Sequence, residues 1–146
     1  RVTPLRFIGG AITKPRRNVT YQIQRYFRGD HEYLYVMTFV LPRYLDQEFD
    51  QKLVTLFHEL QHIGPAFDGD LRRHEGRYAY HSHCQREYNQ NVAEIAREYL
   101  QTRPDPALFR FLRMNFAQLQ AQHGSIVGVV VPRPKMIPLV APFVSQ

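Results

Sequence analysis

The sequence has few of the features that mark disulfide-rich, membrane-spanning or repeat proteins. Its single cysteine, Cys84, cannot form an internal disulfide, which favours a reducing, cytoplasmic setting. No apolar run approaches the roughly 20 residues that a bilayer-spanning helix needs, so we expect no membrane association. Internal repeats and low-complexity segments are absent as well. These absences leave an ordinary globular domain as the expected class.

The composition that is present fits one folded domain. The chain has 146 residues, of which 44% are apolar and 22% charged, so we expect a single domain over residues 1–146. It begins at Arg1 rather than Met, from which we expect a processed chain or an excised domain. The net charge of +6 suits an acidic partner. Because Lys and Arg are scattered along the chain, the sequence predicts only weak, non-specific nucleic-acid binding.

Hydrophobic periodicity predicts an α+β domain. Strands are expected over residues 19–24 and 33–41, joined by a hairpin loop at Gly29-Asp30, and over 125–131. Helices are predicted from an N-cap at Asp46 to His62, from a capping box at Ser82 and Gln85 to about Tyr99, and from Asp105-Pro106 to His123. The segment from 65 to 81 reads as a loop, and the Pro-rich tail from 132 as an extended surface segment. We expect the hairpin and the last strand to form a sheet against the first helix.

The first predicted helix has one apolar face and one face with two histidines. Phe49, Leu53 and Leu60 recur at helical spacing, which is typical of residues that pack into a core. At about 100° per residue, His58 and His62 lie on the opposite side of the helix. The two imidazoles are therefore expected to line a cleft rather than to pack in the core.

His58, Glu59 and His62 form an H-E-x-x-H motif on this helix. Residues four apart on a helix lie one above the other, so both imidazoles can reach one metal ion. The glutamate beside the first histidine can then act as general base toward a water molecule at the metal. The motif predicts a zinc site with His58 and His62 as ligands and Glu59 as the catalytic residue.

The third zinc ligand is less clearly encoded. His83 is favoured because it stands at the start of the second predicted helix, on the side away from the apolar face, and such a ligand is better held than one in mid-loop. In the longer H-E-x-x-H-x-x-G-x-x-H signature the third ligand would be Asp68, but Pro65 stands where that signature has glycine. The alternatives that stay open are His81, His74, Glu87 and Asp68.

Other residues around the motif have less specific signals. Cys84 falls on the core side of the second predicted helix, which favours a small buried side chain over a thiolate ligand. Arg72, Tyr78, Tyr80 and Tyr88 surround the motif in sequence, and any of them could stabilise an oxyanion. No pattern selects one of the four, and packing is the more common task for each.

The segment Leu56–Ile63 resembles the active-site helix of zincin metallopeptidases. It is most similar to that of small uncharacterised metallopeptidases of bacteria and phages, in which H-E-L-x-H-I is followed by a loop with Gly and Arg and then by a His before a helix with an aromatic residue. Gly69, Arg72, His83 and Tyr88 fit that pattern, so the resemblance covers about residues 46–90. It implies zinc ligands at His58, His62 and His83, with Glu59 as base. A looser likeness is to SprT-type metalloprotease domains, which act on DNA-bound proteins.

The resemblance implies a small zincin-like fold and a zinc-dependent hydrolase that cleaves peptide bonds. In such folds an extended peptide or protein substrate commonly pairs with an edge strand beside the metal, and the expected strand is Tyr33–Leu41. The rival hypothesis is a non-catalytic, metal-dependent binding module for nucleic acid or a DNA-bound protein. The two hypotheses differ in whether a general base is needed: the hydrolase requires Glu59 in that role, and a binding module does not.

Overall fold

The computed structural model of the protein describes residues 1–73, 85–127 and 132–139, with 85–87 described by their backbone only. Seven strands in three small sheets and three α-helices occur in these ranges, which confirms the predicted α+β class. None of the helices in these ranges is long and apolar enough to cross a bilayer.

The elements follow one another with few long connections. The strands are β1 (Val2–Pro4), β2 (Thr13–Arg16), β3 (Val19–Ile23), β4 (Tyr26–Arg28), β5 (His31–Tyr33), β6 (Tyr35–Met37) and β7 (Met136–Leu139). The helices are α1 (Phe49–Gln61), α2 (Gln85–Gln101) and α3 (Phe116–His123), with 3₁₀ turns at Ile8–Gly10, Pro106–Phe109 and Phe111–Arg113.

The sheet formed by β1 and β6 separates helix α1 from the C-terminal segment. The two strands are antiparallel, and successive side chains of a strand point to opposite faces. Val2 and Pro4 line a cavity together with α1. Thr3 and Val36 line a groove on the other face, together with residues 132–134. One face of this small sheet is thus the surface against which the motif helix lies.

The predicted pairing of residues 19–24 with residues 33–41 is wrong. Strand β3 pairs with β2 on one side and with β7 on the other, all antiparallel. The β2–β3 connection is short, with Arg16 opposite Val19, so these two strands form a local hairpin. Within the tail from 132, residues 136–139 form the exposed strand β7 of this sheet, a pairing that the sequence did not predict.

The hairpin turn at Gly29-Asp30 is confirmed, but its strands are shorter than predicted. It joins β4 to β5, with Arg28 opposite His31, so the loop has the tight two-residue form. The predicted strand over 33–41 is interrupted, since β5 ends at Tyr33 and β6 spans Tyr35–Met37. Residues 125–127 are not a strand, and the rest of the strand predicted over 125–131 lies outside the described residues.

Helix α1 forms where the sequence predicts it, with two differences. Its N-cap is Glu48 rather than Asp46, whose carboxylate instead accepts a hydrogen bond from the Phe116 amide at 3.2 Å. Leu53 is 1% exposed and lies in the core, as predicted. Leu60 is 40% exposed, so the prediction that it packs in the core is wrong. The apolar stripe is continuous along the helix, but the core covers only its first part.

The later helices follow the prediction in part. Helix α2 runs from Gln85 to Gln101, and Ser82 of the predicted capping box lies outside the described residues. The third predicted helix is divided into two 3₁₀ turns and α3, which a capping box at Asn115 and Gln118 starts afresh. It ends at His123, as predicted, and Gly124 follows with a positive φ of 75°.

The core joins α1 to α2 and to the 3₁₀ turns. Its buried members are Tyr44, Leu45, Leu53, Ala96, Phe109, Leu112 and Leu119. Lys52 of α1 is also buried, at 2% exposure, and its ammonium donates hydrogen bonds of 2.9 Å to the carbonyl oxygens of Leu112 and Met114. These bonds tie the motif helix to the 3₁₀ turn at residues 111–113 and so fix its position.

Candidate metal centre

The two motif histidines lie next to each other near the C-terminal end of α1. Their Nε2 atoms are 3.3 Å apart, and the ring centroids are separated by 5.0 Å with the ring planes at 76°. The i, i+4 spacing on one helix face brings them together, as the sequence predicts. Both side chains line the cavity between α1 and β1.

The histidine geometry fits a tetrahedral zinc ion. With Zn–N bonds of about 2.0–2.1 Å and tetrahedral angles, two nitrogen ligands stand about 3.3–3.4 Å apart. The observed separation of 3.3 Å between the Nε2 atoms of His58 and His62 lies in that range. The pair thus has the ligand type and the spacing that zinc requires from two of its ligands.

Glu59 faces the same cavity, and its two carboxylate oxygens differ in their hydrogen bonding within the described residues. Its Oε1 accepts from the amino nitrogen of Arg1 at 2.8 Å, and its side chain is 14% exposed. Its Oε2 is buried and has no hydrogen-bond partner among the described residues. A buried carboxylate oxygen without a donor is costly, which is consistent with a site that receives a water or substrate proton there.

The cavity itself measures about 490 Å³ and has a backbone edge along one wall. It is lined by Arg1, Val2, Pro4, His58, Glu59, His62 and Leu71. Arg1 exchanges hydrogen bonds with Thr38 across the ladder, and the Leu5 amide donates to the Leu34 carbonyl. In an antiparallel pair, hydrogen-bonded and non-hydrogen-bonded residues alternate along each strand. Since Arg1 and Leu5 are hydrogen-bonded to the segment that contains β6, the backbone N–H and C=O groups of Val2 and the C=O group of Pro4 point away from β6. No described strand pairs with this edge of β1, which runs beside the histidine pair.

The chain after the motif folds back along α1 and brings Arg72 to the site. The Arg72 amide donates to the His62 carbonyl at 2.8 Å, and Ile63 forms an antiparallel bridge with Leu71. The Arg72 guanidinium donates to Oε1 of Gln61 at 3.0 Å. Its Nε is buried without a partner among the described residues.

Gly69 and Tyr35 fix this returning loop against the sheet. The Tyr35 hydroxyl accepts from the Gly69 amide and donates to the Asp70 carbonyl, both at 2.9 Å. Gly69 has a φ of 92°, and a Cβ there would overlap the side chain of Arg6. Only glycine fits this close approach without strain. The position of Arg72 thus depends on contacts that start in β6.

Tyr88 of α2 contacts the first histidine. Its ring lies edge-on to the His58 ring, with centroids 5.2 Å apart and planes at 89°. Burial raises the pKa of Tyr88; the positive charge of Arg72 opposes this rise and the negative charge of Glu59 adds to it. The hydroxyl therefore keeps its proton at neutral pH and is a hydrogen-bond donor.

The structure describes only part of the set from which the third ligand was predicted. His83, His81 and His74 lie outside the described residues, as does the side chain of Glu87. Asp68 lies away from the histidine pair, because its Oδ1 accepts from the Asp70 amide at 3.0 Å and its side chain packs against Gly10. In the described part of the chain, no group of three or more His, Cys, Asp and Glu is arranged to hold a metal ion.

Of the other predicted residues, Arg72 and Tyr88 are brought to the motif, while Tyr78, Tyr80 and Cys84 lie outside the described residues. The strand that lines the cavity is β1, not the segment Tyr33–Leu41 expected from the sequence. Sequence reasoning missed β1 because a strand of three residues is too short to show alternation.

Comparison with known proteins found no relative of this chain. The chain matches no protein-family model, no curated protein and no solved structure.

Proposed function

We propose that the protein is a zinc-dependent metallopeptidase. The observation that carries the proposal is the 3.3 Å separation of the His58 and His62 Nε2 atoms, with a buried Glu59 Oε2 in the same cavity that has no hydrogen-bond partner among the described residues. Two imidazoles alone would also suit a metal-binding module. A buried carboxylate oxygen without a donor beside them favours catalysis, because a binding module has no use for a base.

His58 and His62 would hold the zinc ion, with His83 as the predicted third ligand. Zinc bound there supplies a Lewis acid that lowers the pKa of water and polarises the carbonyl under attack. Glu59 takes the proton from the attacking water on Oε2 and passes it to the amine that leaves as the C–N bond breaks.

The substrate is proposed to be an extended peptide that pairs with the edge of β1 beside the histidine pair, where no described strand pairs. Such pairing uses backbone hydrogen bonds and therefore accepts many sequences. On that edge Val2, which is 7% exposed, has both a donor and an acceptor that a peptide in the cavity would have to reach, whereas Pro4 has only its carbonyl. Pairing at Val2 would place a peptide carbonyl in the cavity that His58 and Glu59 line.

Tyr88 and Arg72 are the candidates for stabilising the oxyanion of the transition state. Tyr88 is protonated at neutral pH, because its pKa is raised by burial, and its ring contacts His58. Arg72 has a buried Nε without a partner among the described residues. Donors fixed in place before the reaction stabilise developing charge more than water does.

Zinc-dependent hydrolysis tests the proposal. Incubated with a casein and peptide panel, the zinc-loaded protein should release new amino termini, and a chelator should stop this until zinc is returned. His58→Ala should lose both the activity and the zinc, because two protein ligands hold zinc far more weakly than three. His123→Ala, which removes an exposed histidine at the end of α3, should keep both. Zinc-independent cleavage, or full activity in His58→Ala, would contradict the proposal.

His83→Ala should weaken zinc binding more than His74→Ala or Asp68→Ala. His83 stands two residues before α2 begins at Gln85, and the Asp68 carboxylate already accepts the Asp70 amide. Competition with a chromogenic chelator gives the affinity of each variant. A parent-like affinity in His83→Ala would move the third ligand to His81 or His74.

A further inference from the structure

The net positive charge of the protein comes from the segments that form its described strands. Residues 1–37 and 132–139, which form all seven strands, contain nine Lys or Arg against two acidic residues, a net charge of +7. The remaining residues contain ten Lys or Arg against eleven acidic residues, a net charge of −1. Pairing of β7 with β3 brings the C-terminal cations, Arg133 and Lys135, close to the N-terminal strands that contain the other cations.

Few of these cations are neutralised. Glu32 is hydrogen-bonded by the guanidinium groups of Arg6 and Arg25, each at 2.7 Å, and Arg25, the larger influence, together with Arg6 lowers the pKa of Glu32 to about 2. The terminal amino group of Arg1 pairs with Glu59. The other six cations of these segments have no ion pair within the described residues: Lys14, Arg16, Arg17, Arg28, Arg133 and Lys135. Their charge is available to an external anion.

The sheet β2-β3-β7 displays part of this charge around an aromatic ring. Lys14 lies opposite Tyr21, which lies opposite Pro138, and Arg16 lies opposite Val19, so these side chains share one face. Every residue of β2 and β7 is exposed. Arg17 follows Arg16 in the turn to β3, with a left-handed φ of 56°, and is exposed. We call this surface the basic face.

We propose that the basic face binds single-stranded nucleic acid. Lys14, Arg16 and Arg17 would contact phosphates, and Tyr21 would stack on a base. Cationic grooves with interleaved aromatic rings are the usual means of binding single strands without sequence preference. Tyr21 favours a single strand as the partner, because a base can stack on its ring between the cations. Val19 and Met136 on the same face are also exposed, so an acidic membrane is the competing partner that the test below separates from a single strand. This surface is separate from the histidine pair and does not depend on the proposed peptidase activity.

The test measures binding of a fluorescein-labelled oligothymidylate by anisotropy at several salt concentrations. The variant with Lys14→Ala, Arg16→Ala and Arg17→Ala should bind about ten-fold or more weakly, and the slope of log K against log salt should fall by about 2, since each lost phosphate contact contributes about 0.7. The control variant with Arg43→Ala, Arg103→Ala and Arg110→Ala removes the same charge from exposed positions outside the basic face. It should change the affinity less than about two-fold.

A second variant keeps the charge and removes the ring. Tyr21→Val preserves strand propensity and should weaken binding about five-fold or more, because stacking on one base is lost. Thermal unfolding of each variant verifies that it is folded, and the charge-preserving variant Lys14→Arg with Arg16→Lys should bind like the parent. His58→Ala should also bind like the parent, which separates this surface from the zinc site.

Several results would overturn the proposal. Absence of binding by the parent protein at low salt is one, and an equal loss in the two triple variants is another, since it would indicate total charge rather than a site. Binding to acidic phospholipid vesicles without binding to the oligonucleotide would assign the basic face to a lipid surface. A parent dimer that the basic-face variant converts to a monomer would assign it to a second copy of the chain.

Discussion

Replacing Glu59 by Gln should leave the zinc and the fold in place and lower the rate of peptide hydrolysis by a factor of about 10²–10⁴. The amide has nearly the size of the carboxylate, so the packing around this 14% exposed side chain should change little. It cannot take up the proton of the attacking water, so the general-base step fails. The measurement is kcat/KM on a cleaved peptide, together with the zinc content of the same preparation.

The matched control is Glu98→Gln, which makes the same chemical change at an exposed position of α2. Its rate and zinc content should equal those of the parent. If Glu59→Gln kept most of the activity with zinc bound, Glu59 would not be the base. If the parent bound zinc but cleaved no substrate in the panel, the non-catalytic binding module would become the better hypothesis.

Leu53→Ala should lower the free energy of unfolding by about 2–5 kcal/mol, the usual cost of emptying a fully buried leucine site. Leu53 is 1% exposed and belongs to the core that joins α1 to α2 and to the 3₁₀ turns. A domain of this kind has a total stability of about 5–15 kcal/mol, so the loss is a large fraction of it. Urea unfolding in saturating zinc gives the value.

Leu60→Ala is the control on the same helix. Because Leu60 is 40% exposed, we expect a loss below about 1 kcal/mol. Equal losses at the two positions would contradict the described boundary of the core and restore the assignment of Leu60 to it.

The sequence predicts α1 well because the information is local. Phe49 and Leu53 mark its buried face, and the four-residue spacing of His58 and His62 places both rings on the other side. The same periodicity wrongly predicted that Leu60 lies in the core. A periodic pattern shows which face of a helix is apolar, but it does not show how far along the helix the neighbouring elements cover that face. Burial of Lys52 was not foreseeable either, because its acceptors, the Leu112 and Met114 carbonyls, are distant in sequence.

Strand pairing was the main error, for a related reason. Val19–Ile23 is a strand as expected. Its partner strands are Thr13–Arg16 and Met136–Leu139, and nothing in their own sequences indicates that they pair with it. The β1 edge beside the motif and the return of Arg72 to His62 are long-range features of the same kind. The proximity of His58, Glu59 and His62 was predictable because the motif is contained within five residues, whereas the other residues that line the cavity come from elsewhere in the chain.

Anomalous scattering from a crystal of the zinc-loaded protein, recorded on both sides of the zinc absorption edge, tests the central claim most directly. The account predicts one zinc peak per chain, at about 2.0–2.1 Å from the Nε2 atoms of both His58 and His62. A fully occupied zinc peak elsewhere on the chain, or no peak beside these two histidines at saturating zinc, would contradict it.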